Sequence, residues 1–167
     1  GQKLMLNLHI FTTGGTIDKV YFDALSEYQI GDPVIGAMLE QMNVGFEYQV
    51  SELMRLDSLD MNDDHRRQIK QAVASAEAAH ILILHGTDGM VETASWLGDI
   101  DNKTILLTGA LQPAAFANTD AVFNVGCAIG ALQSRDAGVY IAMNGQVFAA
   151  DQVVKNRAEN RFETASK

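Results

Sequence analysis

The sequence predicts an α/β fold, in which an open, mainly parallel, doubly wound sheet carries helices on both faces. Short, mostly apolar runs such as residues 81–84 and 104–108 lack polar alternation, so they are typical of buried parallel strands. Segments with helical spacing alternate with these runs along the chain. Such alternation favours a doubly wound sheet, in which ligands bind beyond the carboxyl ends of the strands.

Strands are predicted where a short apolar run ends in a glycine or another turn residue. They are residues 4–11, 44–50, 81–84, 104–108, 138–143 and 146–149. The last two form a hairpin, because Asn144-Gly145 is a favoured two-residue turn.

Helices are predicted from apolar spacing and from residues that favour helix ends. Asp32 and Pro33 indicate the first helix, with Asp32 as N-cap and Pro33 at the first helical position. Its inward residues are expected to be Val34, Met38, Leu39 and Met42. Two further helices are expected over residues 91–97 and 120–133.

The best-marked helix start is Asn62, which is expected to cap a helix over residues 63–79. Its inward residues are Ile69, Val73 and Ala76. Its exposed side is expected to carry His65, Arg66, Arg67 and Lys70.

Three segments are predicted to lack regular structure. Residues 18–31 have no steady period and are interpreted as a long loop that acts as a lid. Residues 51–60 form a polar connection, and residues 151–167 form a polar tail with only Val153, Val154 and Phe162 as core candidates.

Composition excludes several classes of function. The 167 residues suit one domain, and a formal net charge of −9 argues against nucleic acid or an anionic membrane as partner. Cys127 is the single cysteine and is expected to be a buried structural thiol, so the chain needs no oxidising compartment and a cytoplasmic location is expected. No apolar run approaches the ~20 residues of a membrane span.

Two polar turns follow predicted strands and bring catalytic residue types together. Thr13-Gly14-Gly15-Thr16 lacks the third glycine of a dinucleotide-binding motif and the Gly-Lys-Ser/Thr of a P-loop. His85-Gly86-Thr87-Asp88-Gly89 offers backbone N–H groups, a hydroxyl and a carboxylate ahead of a helix. A threonine hydroxyl becomes nucleophilic when a neighbour such as Lys155 removes its proton. His9, His65, His80 and His85 show no metal-ligand spacing, so neither metal nor cofactor is predicted.

Five ordered stretches cover nearly the whole chain, namely residues 13–17, 57–61, 85–94, 109–113 and 138–155. Together they resemble the bacterial-type L-asparaginases, which are Thr-dependent amidohydrolases. The resemblance implies an asparaginase-like fold and hydrolysis of L-asparagine to L-aspartate and ammonia through a Thr acyl-enzyme, with weak activity on L-glutamine left open. It also implies specific residue roles. The catalytic candidates are Thr16, Tyr21, Thr87, Asp88 and Lys155. The substrate-binding candidates are Gly15, Asp57, Ser58, Leu59, Gly86, Thr87, Asp88, Ala110 and Tyr28.

The family also uses a tyrosine from the loop after the first turn, and two tyrosines of this chain fit that description. Tyr21 is preferred for catalysis, because Tyr21 and Asp23 are placed to form a local polar unit. Tyr28 is the alternative, because the residues that follow it resemble those after the family tyrosine.

The sequence departs from the family pattern in three respects. Leu59 stands where a polar residue is usual, and Gly89 stands where a threonine is common. The smaller C-terminal domain of long members has no counterpart, so residues 1–167 are expected to be a single catalytic domain, either a natural short form or part of a longer chain. Because the family builds its sites between subunits, a homodimer or homotetramer is expected.

Two alternatives to a self-sufficient asparaginase remain open. One is an amino-acid-binding domain that is catalytically incomplete. The other is a subunit of a tRNA-dependent amidotransferase, although the net charge of −9 requires the partner to supply the tRNA-binding surface.

Overall fold

The computed structural model describes residues 6–165. The strands within this range are β1 (Asn7–Gly14), β2 (Lys19–Phe22), β3 (Glu27–Ile30), β4 (Glu47–Leu56), β5 (His80–Leu84), β6 (Thr104–Thr108), β7 (Gly138–Met143), β8 (Gln146–Ala149), β9 (Val153–Asn156) and β10 (Arg161–Thr164). The helices are α1 (Ile35–Gln41), α2 (Asp63–Ser75), α3 (Met90–Ser95) and α4 (Ala121–Leu132). Residues 4 and 5 of the predicted first strand lie outside the described range.

The central sheet has the strand order β4-β1-β5-β6-β7-β8. Its neighbours are parallel except β7 and β8, which form the hairpin predicted at Asn144-Gly145. The mainly parallel α/β class predicted from the sequence is therefore confirmed. Since β1 pairs directly with β5, the two polar turns that follow these strands lie side by side.

Helices cover both faces of the sheet because successive strand residues point to opposite sides. On one face, Ile10, Leu82 and Leu106 pack against α1 and α4. On the other face, Phe11, Ile83 and Leu107 pack against α2 and α3. Cys127 on α4 is only half-buried, so the expectation of a buried thiol is wrong. Within residues 6–165, no helix is long and apolar enough to cross a membrane.

Helix α2 begins where the sequence predicts and ends earlier. The Asn62 side chain accepts the His65 N–H, and the His65 ring accepts the Asn62 N–H, which completes a capping box. The helix stops at Ser75 because Ala76 is extended, and Lys103 Nζ donates to the Ala76 carbonyl.

The exposed side predicted for α2 is wrong at one position. Arg66 is only 4% exposed, because its guanidinium turns toward α3 and donates to Thr93 Oγ1. Arg67 is exposed as predicted, and Ile69 and Val73 are fully buried.

The start predicted for α1 is also wrong. Its first residue is Ile35, and the carboxylate that accepts the Val34 N–H at 3.0 Å belongs to Asp18. Asp32 instead binds Arg55, at 2.7 Å between Oδ1 and Nη2. Met38 and Leu39 are buried as expected, whereas Met42 is 51% exposed.

The segments predicted to be irregular contain regular structure. Residues 19–30 form the β2–β3 hairpin, and β4 extends to Leu56 through the first part of the expected polar connection. The polar tail forms the β9–β10 hairpin, in which Val153 and Phe162 are buried and Val154 is exposed. The Phe162 N–H donates to Asn144 Oδ1 at 2.7 Å and ties this hairpin to the main sheet.

Asp18 makes the stability of the fold depend on pH. Burial raises the pKa of its carboxyl to about 6 from 3.8, although the Val34 N–H and Arg55 oppose the rise. Because the unfolded chain ionises at the lower value, the free energy of unfolding should fall by about 3 kcal/mol as pH rises from 4 to above 6. Asp18→Asn removes this loss, so its stability relative to the parent should increase over the same interval, as measured by urea unfolding.

Asp151→Asn is the matched control, because it removes a carboxylate that is exposed. A constant difference between Asp18→Asn and the parent from pH 4 to pH 7 would contradict the prediction.

Candidate active site

The site forms where the turns after β1 and β5 touch. A Cβ atom on Gly15 would lie 2.7 Å from the Gly86 nitrogen, a distance that real side chains do not reach. Gly15 also has φ of 87°, which glycine adopts without strain. Glycine at this position therefore lets the two backbones approach, and it brings Thr16 and Thr87 to the same edge of the sheet.

Thr16 opens a short 3-10 turn, Thr16–Asp18, and is half-buried. The turn is anchored on both sides, because the Gly15 N–H donates to the Leu56 carbonyl at 3.0 Å and the Ala114 N–H donates to the Ile17 carbonyl at 3.0 Å. The end of β4 and the loop after β6 thus both hold the segment that carries Thr16.

Lys155 joins Thr87 and Asp88 into one polar cluster. Its Nζ donates to Thr87 Oγ1 at 2.8 Å and to Asp88 Oδ1 at 2.7 Å. Strand β9 delivers this lysine from 68 residues away in the sequence. The amine is therefore aimed at a threonine hydroxyl, which is the geometry that proton transfer from that hydroxyl needs.

Cations around Asp88 keep its carboxylate charged. The hydrogen bond from Lys155 is the main cause that holds the pKa of Asp88 below its usual value, and the charges of Lys155, Arg157 and Lys19 add to it. Arg157 Nε lies 3.5 Å from Asp88 Oδ1. The sequence pattern did not indicate Arg157, because nothing in it shows that the turn after β9 brings this side chain toward the site.

Ser58 packs under the second turn. Its Oγ accepts the Gly89 N–H at 2.9 Å, and a Cβ atom on Gly86 would lie 2.6 Å from this oxygen. Asp57 accepts the Leu59 N–H and lies 3.5 Å from Lys19 Nζ. Leu59 itself is 64% exposed and accompanies Ser58 only as its chain neighbour.

Ala110 is buried in the loop that follows β6. The Asp120 carboxylate holds this loop, because it accepts the N–H groups of Leu111 and Gln112 at 3.0 Å. Strand β6 pairs with β5, so the Ala110 loop lies beside the turn that carries Thr87.

The two candidate tyrosines lie directly opposite each other on the β2–β3 hairpin. Tyr21 and Tyr28 are paired residues, and their ring centroids are 5.4 Å apart. Both side chains are about half exposed, and Tyr28 also contacts Phe116 edge-on at 5.6 Å. Neither hydroxyl bonds to Thr16 within the part of the chain that the structure describes. The preference for Tyr21 over Tyr28 thus stays a prediction.

A buried polar chain supports the second turn from below, and little in the sequence pattern indicates it. His85, Thr93 and Arg66 connect through hydrogen bonds, although the helical spacing assigned Arg66 to an exposed side. The apolar run before His85 is the one signal that indicated burial there. As for metals, no three His, Cys, Asp or Glu side chains among residues 6–165 are arranged to share an ion.

Comparison with known proteins decides which family this arrangement belongs to. The family model described as "Asparaginase, N-terminal" matches residues 7–166. This chain belongs to the asparaginase family. The resemblance and the fold inferred from the sequence motifs are thereby confirmed.

Named asparaginases are among the relatives of this family member. A probable periplasmic L-asparaginase of Haemophilus influenzae is 32% identical over 162 residues, covering 89% of this chain and 46% of its own length. The thermostable L-asparaginase from Thermococcus kodakarensis has a TM-score of 0.83 at 25% identity, covering 95% of this chain and 51% of that one. This chain spans about half the length of these relatives.

A relative with a different name is similar to most of this chain. One component of a glutamyl-tRNA(Gln) amidotransferase from Methanococcus maripaludis is 31% identical over 150 residues. The match covers 84% of this chain and 35% of that component.

Replacing Lys155 should change the titration of Asp88. Lys155→Met removes the hydrogen bond and charge that do most to lower the pKa of Asp88, so this pKa should rise toward its ordinary value of 3.8. A pH titration of the Asp88 carboxyl carbon by NMR measures the change. Arg157→Gln is the control and should raise the pKa less, because Arg157 contributes only its charge at longer range. A larger rise in Arg157→Gln than in Lys155→Met would contradict this assignment.

Proposed function

We propose that this chain hydrolyses the side-chain amide of L-asparagine through a threonine ester. The observation that carries the proposal is the position of Lys155 Nζ, which lies within 2.8 Å of both Thr87 Oγ1 and Asp88 Oδ1. Membership of the asparaginase family supports an amidohydrolase in general. The threonine chemistry is the finer part of the proposal and rests on this cluster and on the adjacent Thr16.

The first half of the reaction forms an acyl-enzyme. A threonine hydroxyl loses its proton to a base as its oxygen bonds to the amide carbon, and the carbonyl oxygen becomes an oxyanion. Lys155 in its neutral form is the base proposed for Thr87. Collapse of this intermediate breaks the carbon–nitrogen bond, and the amide nitrogen leaves as ammonia after it receives the proton.

The second half returns the enzyme to its starting state. Water adds to the threonine ester, its proton returns to the threonine oxygen, and L-aspartate leaves. Thr16 and Thr87 are both candidate nucleophiles, because both follow the paired strands β1 and β5 at one edge of the sheet. Acid quenching during turnover, followed by peptide mass spectrometry, would locate the ester on one of them.

The remaining site residues are proposed to hold the substrate. Asp88 is the carboxylate that can accept the substrate ammonium, since its pKa lies below the usual range and it stays charged at neutral pH. Ser58 and the backbone at Gly15 and Gly86 are proposed to hold the α-carboxylate. Ala110 is proposed to lie near the amide that is cleaved.

Ammonia release tests this proposal directly. The parent chain should release ammonia from L-asparagine. The turnover of Thr16→Ala and of Thr87→Ala should each be at least about 10³-fold lower than that of the parent, which is the usual cost of removing a catalytic nucleophile or its partner. Thr164→Ala is the matched control, because Thr164 is exposed on β10 and outside the cluster. Normal turnover in either active-site variant would remove that threonine from the mechanism.

The same assay separates the alternative functions. Absence of ammonia from both L-asparagine and L-glutamine would favour the binding-only domain. Ammonia that appears only after a tRNA-binding partner is added would favour the amidotransferase role, for which the Methanococcus maripaludis relative is the supporting observation.

Assembly into a homodimer or homotetramer belongs to the same proposal. Apolar side chains at the edge of the site remain exposed, namely Tyr21, Phe22, Tyr28 and Leu59. Contact with a second copy would remove such surface from water, which is the usual role of clustered exposed apolar residues. Light scattering at assay concentration should therefore report at least a dimer, and a single monomeric species would contradict the proposal.

Two further expectations belong to the proposal, and the structure tests neither of them. Residues 1–167 are taken as one catalytic domain that needs no cofactor. A cytoplasmic location also stays a prediction, and the Haemophilus influenzae relative is named periplasmic.

A further inference from the structure

A chain of buried hydrogen bonds runs beneath the turn that carries Thr87. It starts at Arg66 on α2, passes through Thr93 on α3 and ends at His85, directly after β5. None of the three residues is more than 4% exposed, although Arg66 Nη2 lies 3.5 Å from the exposed Glu92 carboxylate. The reaction proposed above uses none of them.

The contact between His85 and the Gly86 carbonyl decides which nitrogen of the imidazole ring carries the proton. His85 Nδ1 lies 2.8 Å from the Gly86 carbonyl oxygen. A carbonyl oxygen only accepts hydrogen bonds, so Nδ1 must carry the proton. In the neutral ring, Nε2 is then an acceptor.

The other two hydrogen bonds run in the same direction, from Arg66 to Thr93 and from Thr93 to His85. Thr93 Oγ1 lies 2.7 Å from His85 Nε2 and 3.7 Å from Met61 Sδ. Its single proton points to the ring, because a thioether sulfur is only a weak acceptor. Arg66 Nε donates to Thr93 Oγ1 at 3.0 Å, and Arg66 Nη1 donates to the Met61 carbonyl at 3.2 Å. A guanidinium only donates hydrogen bonds, so the direction of donation along these three residues cannot be reversed.

Burial keeps the His85 ring uncharged at neutral pH. It lowers the pKa of His85 to about 4, and the Arg66 charge lowers this pKa further, although the bond to Gly86 opposes both. A single tautomer with the proton on Nδ1 therefore persists through neutral pH.

The fixed tautomer has a consequence on the other side of the Gly86–Thr87 peptide. In a planar trans peptide the C=O and the N–H point in opposite directions. The Gly86 carbonyl faces the His85 ring, so the Thr87 N–H points away from it. Within residues 6–165, no protein acceptor takes this N–H. It is therefore free to donate to an oxyanion beside the Thr87 hydroxyl.

We propose that Arg66, Thr93 and His85 are positioning residues that aim the Thr87 N–H at the oxyanion formed from the substrate amide. The inference rests on the proposed function for its catalytic consequence. A misaligned donor stabilises the oxyanion less, which slows the chemical step more than it weakens substrate binding. The effect should appear in kcat, whereas KM should change little.

Thr93→Val and Thr93→Ser test the inference as a matched pair. Valine keeps the shape of threonine and removes the hydroxyl, so kcat should fall about 10- to 100-fold while KM stays within about threefold. Serine keeps the hydroxyl and should retain most of kcat. Arg66→Met is the second variant, and it should lose less than Thr93→Val because Thr93 can still donate to His85.

NMR gives a readout that does not depend on turnover. In the parent, the imidazole nitrogen shifts of His85 should show a neutral ring with the proton on Nδ1 from pH 5 to 8. In Thr93→Val this single tautomer should be lost, and the Thr87 amide signal should move. Thr93→Ser should resemble the parent in both signals.

Three results would overturn the inference. They are a proton on Nε2 of His85 in the parent, an unchanged Thr87 amide in Thr93→Val, and equal loss of kcat in the serine and valine variants. If the parent released no ammonia at all, the proposed function would fail, and the His85 and Thr87 signals alone would decide whether the three residues position this turn.

Discussion

The close approach of two backbones at Gly15 and Gly86 is the constraint on which the rest of the site depends. Strands β1 and β5 are adjacent and parallel, so their carboxyl-terminal turns would in any case lie near each other. Contact between the turns themselves requires that no side chain stands between them. With that contact, Thr16 and Thr87 share one small region. A methyl group at Gly15 would force the turns apart and separate the two hydroxyls.

Polar side chains then fix the loops around this contact. Asp18 holds the start of α1, Ser58 holds the Gly89 N–H, and Asp120 holds the loop after β6. A buried polar group that satisfies a specific partner specifies one arrangement, because any alternative leaves it unpaired. Hydrogen bonds placed behind Thr16 and Thr87 thus hold the turns that carry them in one arrangement.

The sequence predicted those features that depend on local pattern. Apolar runs located β5, β6 and β7, Asn62 located the start of α2, and five ordered motifs identified the family. It failed where a remote residue replaces a local one. Asp32 has the ideal position for an N-cap, yet Val34 is the N-cap, and its N–H donates to the remote Asp18 carboxylate that the turn after β1 brings there. Arg66 has the spacing of an exposed helix residue, yet a hydroxyl on α3 draws it inward.

The position of Lys155 has a consequence for the order in which the protein is made. Because synthesis runs from the N-terminus, the turns after β1 and β5 leave the ribosome before β9 does. The amine reaches Thr87 only when Val153 and Phe162 pack and the Phe162 N–H finds Asn144. A nascent chain can therefore assemble most of its parallel sheet while the Thr87 hydroxyl still lacks its contact with Lys155. The contact between Lys155 and Thr87 and the completion of the fold therefore arrive together, so an unfinished chain lacks the cluster on which the proposed chemistry depends.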